Sequence, residues 1–254
     1  MVNGQELSAD SSLIRFKTGF SEYMSYSQVK RSFPMNMGYP LLYARTASLG
    51  VEYMRQGKKA GHIFNGEIFI PSALNSDNGT GSDFLLQEEG SYWFRSDAGY
   101  RMRMSLMRTG DLRIYHGIAT GMLFEQRKLN YQSSDSEITT DLNIYLGPSL
   151  QAVFTVNEDW QLSGGFDALF YLPYLNYGKI SKMDMSANEF YSTSYHGFYY
   201  QTSFSFSVRY RRLMLTLIKN DMAGYASQQY GFDKEGMVHF KLDRICSVKL
   251  SLEL

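Results

Sequence analysis

The segment from Tyr92 to Met107 alternates between apolar and polar side chains with almost no error. The apolar positions are Tyr92, Phe94, Ala98, Tyr100, Met102, Met104 and Leu106. The opposite positions are Arg95, Asp97, Gly99, Arg101, Arg103 and Ser105. Successive side chains of a β-strand point to opposite faces, so this segment predicts a strand with one apolar and one charged face.

The same alternation recurs along the chain and predicts ten strands. We expect them over residues 13–23, 43–54, 62–70, 92–107, 112–127, 142–156, 160 onward, 198–210, 213–217 and 247–254. Their polar faces carry Gly, Ser, Tyr, Gln and Arg, whereas the outer face of a soluble sheet is rich in Lys and Glu. Apolar residues toward lipid and polar residues toward a lumen are typical of an all-β, transmembrane, antiparallel up-and-down β-barrel, which in bacterial chains has an even number of strands.

The connections between these strands give a second, independent indication. Short turns at 55–60, 108–111, 157–159 and 211–212 alternate with longer polar loops at 26–40, 72–90, 128–141, 173–194 and 219–236. Outer-membrane barrels have short periplasmic turns and long extracellular loops. The sequence therefore predicts one barrel domain over residues 1–254, with residues 1–11 as a periplasmic N-terminal segment and both termini in the periplasm.

The amino-acid composition excludes several other classes of protein. Aromatic residues make up 15% of the chain, as expected where Tyr and Phe form girdles at two membrane interfaces. The 25 basic and 25 acidic residues balance, so there is no electrostatic footprint for nucleic acid. No run approaches the roughly 18 apolar residues of a membrane-spanning helix. The single Cys246 excludes an intramolecular disulfide and a cysteine-based zinc site, and it falls on the apolar face of the last strand.

Charged residues on the polar faces are expected to lie in the lumen. They are Arg15, Lys17, Glu52, Glu67, Arg95, Asp97, Arg101, Arg103, Arg113, Glu125, Asp167 and Arg209. A barrel of about eight strands has an interior filled by side chains, and ten strands lie near that limit. We expect these residues to form a network of ion pairs that plugs the barrel, because buried charges are retained when they are paired. The alternative is a narrow, anion-favouring path along the Arg residues.

The sequence also contains candidate residues for an enzymatic site. His196 follows Ser194 at the rim of the eighth strand, and Asp184 lies in the preceding loop, so a base, a hydroxyl and an acid could serve hydrolysis or acyl transfer there. A Ser-x-His pair in a loop rich in Tyr and Ser also arises by chance. No two histidines have metal-ligand spacing, and the sequence predicts neither a metal site nor a cofactor.

Taken together, the alternating strands from Leu13 to Leu254, the sorted connections and the amphipathic last strand resemble a small outer-membrane β-barrel protein of Gram-negative bacteria. A Gln near the start of the chain, here Gln5, and a Leu as its last residue, here Leu254, resemble the pattern of barrels from the Bacteroidota. Ten-stranded omptin proteases carry paired Asp residues and an Asp-His couple at their strand tips, and no matching pair is present here. The resemblance implies that the barrel-assembly machinery reads the last strand.

The sequence thus favours a non-catalytic outer-membrane barrel, either a narrow or plugged channel or a membrane-embedded subunit of an envelope complex. Its expected partners are outer-membrane lipid and, for the subunit role, another protein of such a complex. Two alternatives remain: an enzyme at the extracellular rim that acts on lipid or peptide, and a soluble, lipocalin-type barrel. The soluble barrel would need its apolar faces turned inward.

Overall fold

The computed structural model describes residues 11–30, 36–38, 41–57, 60–77, 86–131, 136–181, 190–191, 196–229 and 236–254. These ranges form an all-β structure, and no helix among them is long and apolar enough to cross a membrane. The strands are β1 (Ser11–Lys30), β2 (Asn36–Gly38), β3 (Leu41–Gln56), β4 (Gly61–Ala73), β5 (Asn75–Asp77), β6 (Leu86–Thr109), β7 (Leu112–Tyr131), β8 (Ser136–Thr155), β9 (Trp160–Ser181), β10 (Phe190–Tyr191), β11 (His196–Tyr210), β12 (Leu213–Gln229) and β13 (Gly236–Glu253).

The long strands close into an antiparallel barrel. Apart from the short strands β2, β5 and β10, each strand pairs with its neighbours in chain order, and β1 pairs with both β3 and the final strand β13. The last residue is also held in place, because the Leu254 amide donates to the Ile14 carbonyl at 3.0 Å. The ten long strands of the described ranges confirm the predicted fold class.

The barrel has an apolar exterior and an interior in which polar side chains predominate toward the turns that connect its strands. On the outer face, Phe204 is 52% exposed and Phe206 is 49% exposed. The neighbouring positions Gln201 and Ser207, which point the other way along β11, are buried. This polarity is opposite to that of a soluble barrel, so the lipocalin-type alternative is wrong. Trp160 and Tyr210 contact each other on the outer face, with ring centroids 4.7 Å apart, at an end of the barrel where short turns connect the strands.

The two ends of the barrel differ. The connections at 57–60, 110–111, 156–159 and 211–212 lie at one end, which we call the turn end, and both Ser11 and Leu254 lie there too. At the opposite, loop end, several predicted loops are wrong in extent, because the strands continue through them. Only residues 132–135 separate β7 from β8, and β12 runs to Gln229 although the sequence predicts a strand ending at Leu217. About ten residues suffice to cross a bilayer, and β6 has 24, so the sheet extends well past the apolar band.

A bulge in β6 changes which side chains reach the lumen at the turn end. The register between β6 and β7 shifts between Ser105 and Met107. Met107 therefore pairs with the outward-facing Ile114, and Arg108 pairs directly with Arg113. The bulge thus adds a basic residue to the inner face that strict alternation from Tyr92 would have turned outward.

Candidate functional site

The lumen contains a polar cavity of about 1220 Å³. At one extreme its walls include Asn157, Arg211 and Leu254, all at the turn end. At the other extreme they reach Phe69 and Tyr145, partway along the barrel. The cavity is therefore a vestibule that reaches the turn end, and we refer to it below as the vestibule.

An apolar layer lies beyond the vestibule toward the loop end. Its members are Tyr23, Leu42, Ala44, Phe69, Leu74, Trp93, Leu129 and Ile245, all of them buried. The rings of Tyr23 and Trp93 stack with centroids 4.3 Å apart, and Phe69 meets Trp93 edge-on at 5.6 Å. The exposed fraction of both Tyr23 and Trp93 is 0%. This layer, which we call the plug, fills the lumen with packed side chains at this level.

A second buried cluster completes the filling on the opposite wall. Tyr145 and Tyr171 contact each other at 5.4 Å between ring centroids. The Tyr145 hydroxyl donates to Asp97 Oδ1, and the Tyr171 hydroxyl donates to Gln201 Oε1, each at 2.9 Å. The Tyr145 ring fits because the facing position on β7 is Gly121, where an added Cβ would overlap the Tyr145 hydroxyl.

Nearer the turn end, ion pairs join four strands of the wall: β1, β3, β11 and β13. Arg15 on β1 donates from Nη1 to Glu52 Oε1 at 2.9 Å and from Nε to Glu253 Oε1 at 2.8 Å. Lys17 Nζ donates to the other oxygen of Glu52 at 2.5 Å, and Arg209 Nη1 donates to Glu253 Oε2 at 3.3 Å. Each carboxylate is therefore shared by two cations, which ties β3 and β13 to β1 by side-chain contacts as well as by the backbone.

Two further ion pairs span the lumen deeper in the vestibule. Lys249 on β13 pairs with Glu67 on β4, and Arg101 on β6 pairs with Asp167 on β9 at 2.5 Å. These strands are not neighbours in the sheet, so both contacts cross the interior. At the level of the plug, Arg127 and Glu125 lie 3.6 Å apart.

All twelve charged residues expected in the lumen point inward. Eleven of them line the vestibule, and Glu125 lies behind it among the buried residues. Lys249 and Glu253 of the last strand also line the vestibule but are absent from the expected set, and the plug was not predicted. A usable signal was present, because Tyr23, Phe69 and Trp93 are large apolar residues at positions whose parity points to the lumen.

Arg103 and Arg113 lie in the wall of the vestibule, on the inner face of the β6–β7 hairpin. No carboxylate of the described residues forms an ion pair with Arg103 or Arg113. Arg103 instead donates to the neutral amides of Gln151 at 3.0 Å and Gln56 at 3.4 Å. Its guanidinium also lies over the Tyr115 ring, 4.8 Å from the centroid. By contrast, Arg211 in the β11–β12 turn pairs with Asp159 at 3.1 Å, and this hydrogen bond raises the pKa of Arg211.

The candidate enzymatic residues are only partly within the described structure. His196 begins β11, at the loop end of the barrel, and its side chain is not among those described. Ser194 and Asp184 lie outside the described residues, so the hydrolytic site stays a prediction. Among the residues that the structure describes, no group of three or more His, Cys, Asp or Glu side chains could hold a metal ion.

The outer surface carries an apolar groove of about 860 Å³ across the β1–β13–β12 region. Phe20, Phe206 and Val248 line its apolar part, and Cys246 lies among them as the sequence predicts. Glu22 and Arg45, which pair at 2.9 Å, form part of its edge toward the loop end. The groove is on the face that contacts lipid in a membrane barrel.

Of the comparisons with known proteins, the one with solved structures supports the fold. No protein-family model matches the chain, and no curated protein is significantly similar to it. Among solved structures, the chain is similar to the outer membrane protease OmpT from Escherichia coli, with a TM-score of 0.58 and 9% identity over 95% of this chain and 97% of that one.

Other solved barrels overlay more loosely. The translocator domain of the autotransporter NalP from Neisseria meningitidis gives a TM-score of 0.42 at 8% identity, over 97% of this chain and 90% of that one. OprG from Pseudomonas aeruginosa gives 0.41 at 9% identity, over 96% and 97%. At 9% identity the similarity to OmpT shows a shared fold alone. The comparisons do not support a Bacteroidota origin.

Proposed function

We propose that this protein is a plugged, non-catalytic β-barrel of the Gram-negative outer membrane that serves as a membrane-embedded subunit of a cell-envelope complex. The apolar exterior and the barrel fold shared with OmpT support the membrane location. By the sorting of turns and loops in such barrels, the turn end and both termini face the periplasm. The vestibule is then a periplasmic recess.

The observation that carries the proposal is the plug. Tyr23 and Trp93 are stacked and fully buried, and the second cluster around Tyr171 packs the opposite wall. A path for solutes needs a continuous row of polar, hydrated positions. At the level of the plug, packed side chains fill the lumen and exclude water. The plug therefore favours a structural or binding role over transport.

Conductance of the full chain in planar lipid bilayers tests the plug. We expect the wild type to insert without stable single-channel steps, and the double variant Tyr23→Ala/Trp93→Ala to produce them. The matched control is Trp160→Ala, which removes an indole from the outer face. Heat-modifiable gel mobility establishes that each variant is a folded barrel. Steady ion conduction by the wild type would overturn the plugged-barrel proposal.

The subunit role has its own test. Gentle detergent extraction from the native outer membrane, followed by native gel electrophoresis, should give a species larger than the 29.2 kDa chain in its detergent micelle. Chemical cross-linking before extraction should retain the same species at high detergent concentration. A chain that runs only as a monomer under both conditions contradicts the subunit role.

A further inference from the structure

The wall of the vestibule carries more basic than acidic side chains. The described lining includes eleven Arg and Lys residues but seven Asp and Glu residues. The ion pairs described above account for Arg15, Lys17, Arg101, Arg209, Arg211 and Lys249. Among the lining residues outside these pairs, Arg103 and Arg113 lie on the inner face of the β6–β7 hairpin.

The register of this hairpin places like charges together. Arg108 and Arg113 are direct cross-strand partners, a pairing that repels and destabilises a sheet. Tyr115 is the next inward position after Arg113 on β7, and the Arg103 guanidinium lies on its ring. Arg103 and Arg113 thus flank Tyr115 on one stretch of wall, and we call these three residues the Arg-Tyr-Arg cluster.

The Arg103 side chain is held in place without charge compensation. Gln151 and Gln56 accept hydrogen bonds from its Nη atoms, and the Tyr115 ring supports its face. Its Nε is buried and has no hydrogen-bond partner among the described residues. A guanidinium fixed by neutral groups keeps its charge available, and its planar fork matches the two oxygens of a carboxylate or phosphate.

From these observations we infer that the Arg-Tyr-Arg cluster is a binding site for a small oxyanion, bearing phosphate or carboxylate groups, that enters the vestibule from the turn end. The vestibule volume of about 1220 Å³ is large enough for an organic ligand, since typical ligand sites occupy roughly 300–1,000 Å³. Arg103 and Arg113 supply the charge-assisted hydrogen bonds, and the Tyr115 hydroxyl is a further donor.

This inference rests on the proposed plugged barrel, because a blind recess retains an anion that an open pore would pass. The two are nevertheless measured separately. Conductance reports on the plug, whereas equilibrium binding to the detergent-solubilised chain reports on the cluster whether or not the barrel conducts.

Isothermal titration of the full chain at low ionic strength tests the site, with pyrophosphate and citrate as the two probes. We expect the wild type to bind at least one of them with 1:1 stoichiometry, and the probe that binds identifies phosphate or carboxylate as the recognised group. The variant Arg103→Gln/Arg113→Gln should bind at least tenfold more weakly, and Arg103→Lys, which keeps the charge but not the fork, should fall between.

The matched control removes two positive charges from the outer face instead. Arg45 and Arg244 are exposed there and pair with Glu22 and Asp221. The variant Arg45→Gln/Arg244→Gln should bind within twofold of the wild type. If Arg103→Gln prevents folding, Arg113→Gln alone serves, since no ion pair of the described residues depends on it. Absence of binding by the wild type, or an equal loss in the cluster and control variants, would overturn the inference.

Discussion

The Trp93 indole stacks on the Tyr23 ring across the lumen, with centroids 4.3 Å apart and planes inclined by 11°. Tyr23 comes from β1 and Trp93 from β6, which are separated in the sheet by β3 and β4. The contact therefore joins distant parts of the wall through the interior. A barrel closed in this way gains stability from its lumen as well as from its hydrogen-bonded sheet.

The first prediction concerns the stability that this contact provides. Trp93→Ala removes a fully buried indole, and truncation of a buried aromatic residue costs about 3–5 kcal/mol. Guanidinium unfolding in detergent, followed by circular dichroism, should show a loss of this size. Trp160→Ala makes the same chemical change where the side chain is 42% exposed, and it should cost much less. Equal losses would mean that the plug is not packed.

The second prediction concerns the shared carboxylate of Glu52. Glu52→Gln removes the acceptor charge that faces both Arg15 and Lys17. Hydrogen bonds to charged groups contribute about 1.5–3 kcal/mol, so we expect a loss of that order in the same unfolding assay. Glu22→Gln is the matched control, because its pair with Arg45 is exposed and such pairs contribute about 0–1 kcal/mol. A neutral effect of Glu52→Gln would contradict a stabilising role for the network.

The third prediction uses two glycines with different surroundings. A Cβ at Gly121 would overlap the Tyr145 hydroxyl and the Ala98 carbonyl, so Gly121→Ala should destabilise the barrel by about 1–3 kcal/mol through overpacking. At Gly66 nothing lies within 4 Å of an added Cβ. Gly66→Ala should therefore be neutral or stabilising by up to about 1 kcal/mol. The reverse order of the two effects would show that Tyr145 does not occupy this position.

Strand positions and faces followed from the sequence because the side-chain period of a strand is two, so the apolar set of β11 or β13 fixes its orientation. The loop ends of the strands did not follow. Once a strand leaves the membrane band its outer face becomes polar as well, as around Lys219 and Asp221, and the alternation that identifies it disappears. The ion-pair partner of each charged residue could not be predicted from the sequence either, since Arg101 and Asp167 come into contact only when the barrel closes.

The plug illustrates a different limit of sequence reasoning. An aromatic residue at a lumen position, such as Trp93 between Tyr92 and Phe94, looks like an error in the alternation when the strand is read alone. Trp93 is recognisable as part of the plug only together with Tyr23 and Phe69, which occupy inward positions on other strands at the same level of the barrel. Local periodicity does not predict the level at which a residue lies along the barrel axis, because that level depends on the register between strands.

The central claim is that apolar side chains face lipid while polar ones face an enclosed lumen, and adjacent positions on β11 test it most directly. Nitroxide labels at Phe204→Cys and at Ser203→Cys, each in a Cys246→Ser chain reconstituted in lipid vesicles, can be compared by electron paramagnetic resonance. We expect the label at position 204 to collide mainly with lipid-soluble oxygen, and the label at position 203 to collide mainly with a water-soluble nickel chelate. Preference of position 204 for the nickel chelate and of position 203 for oxygen would contradict the account.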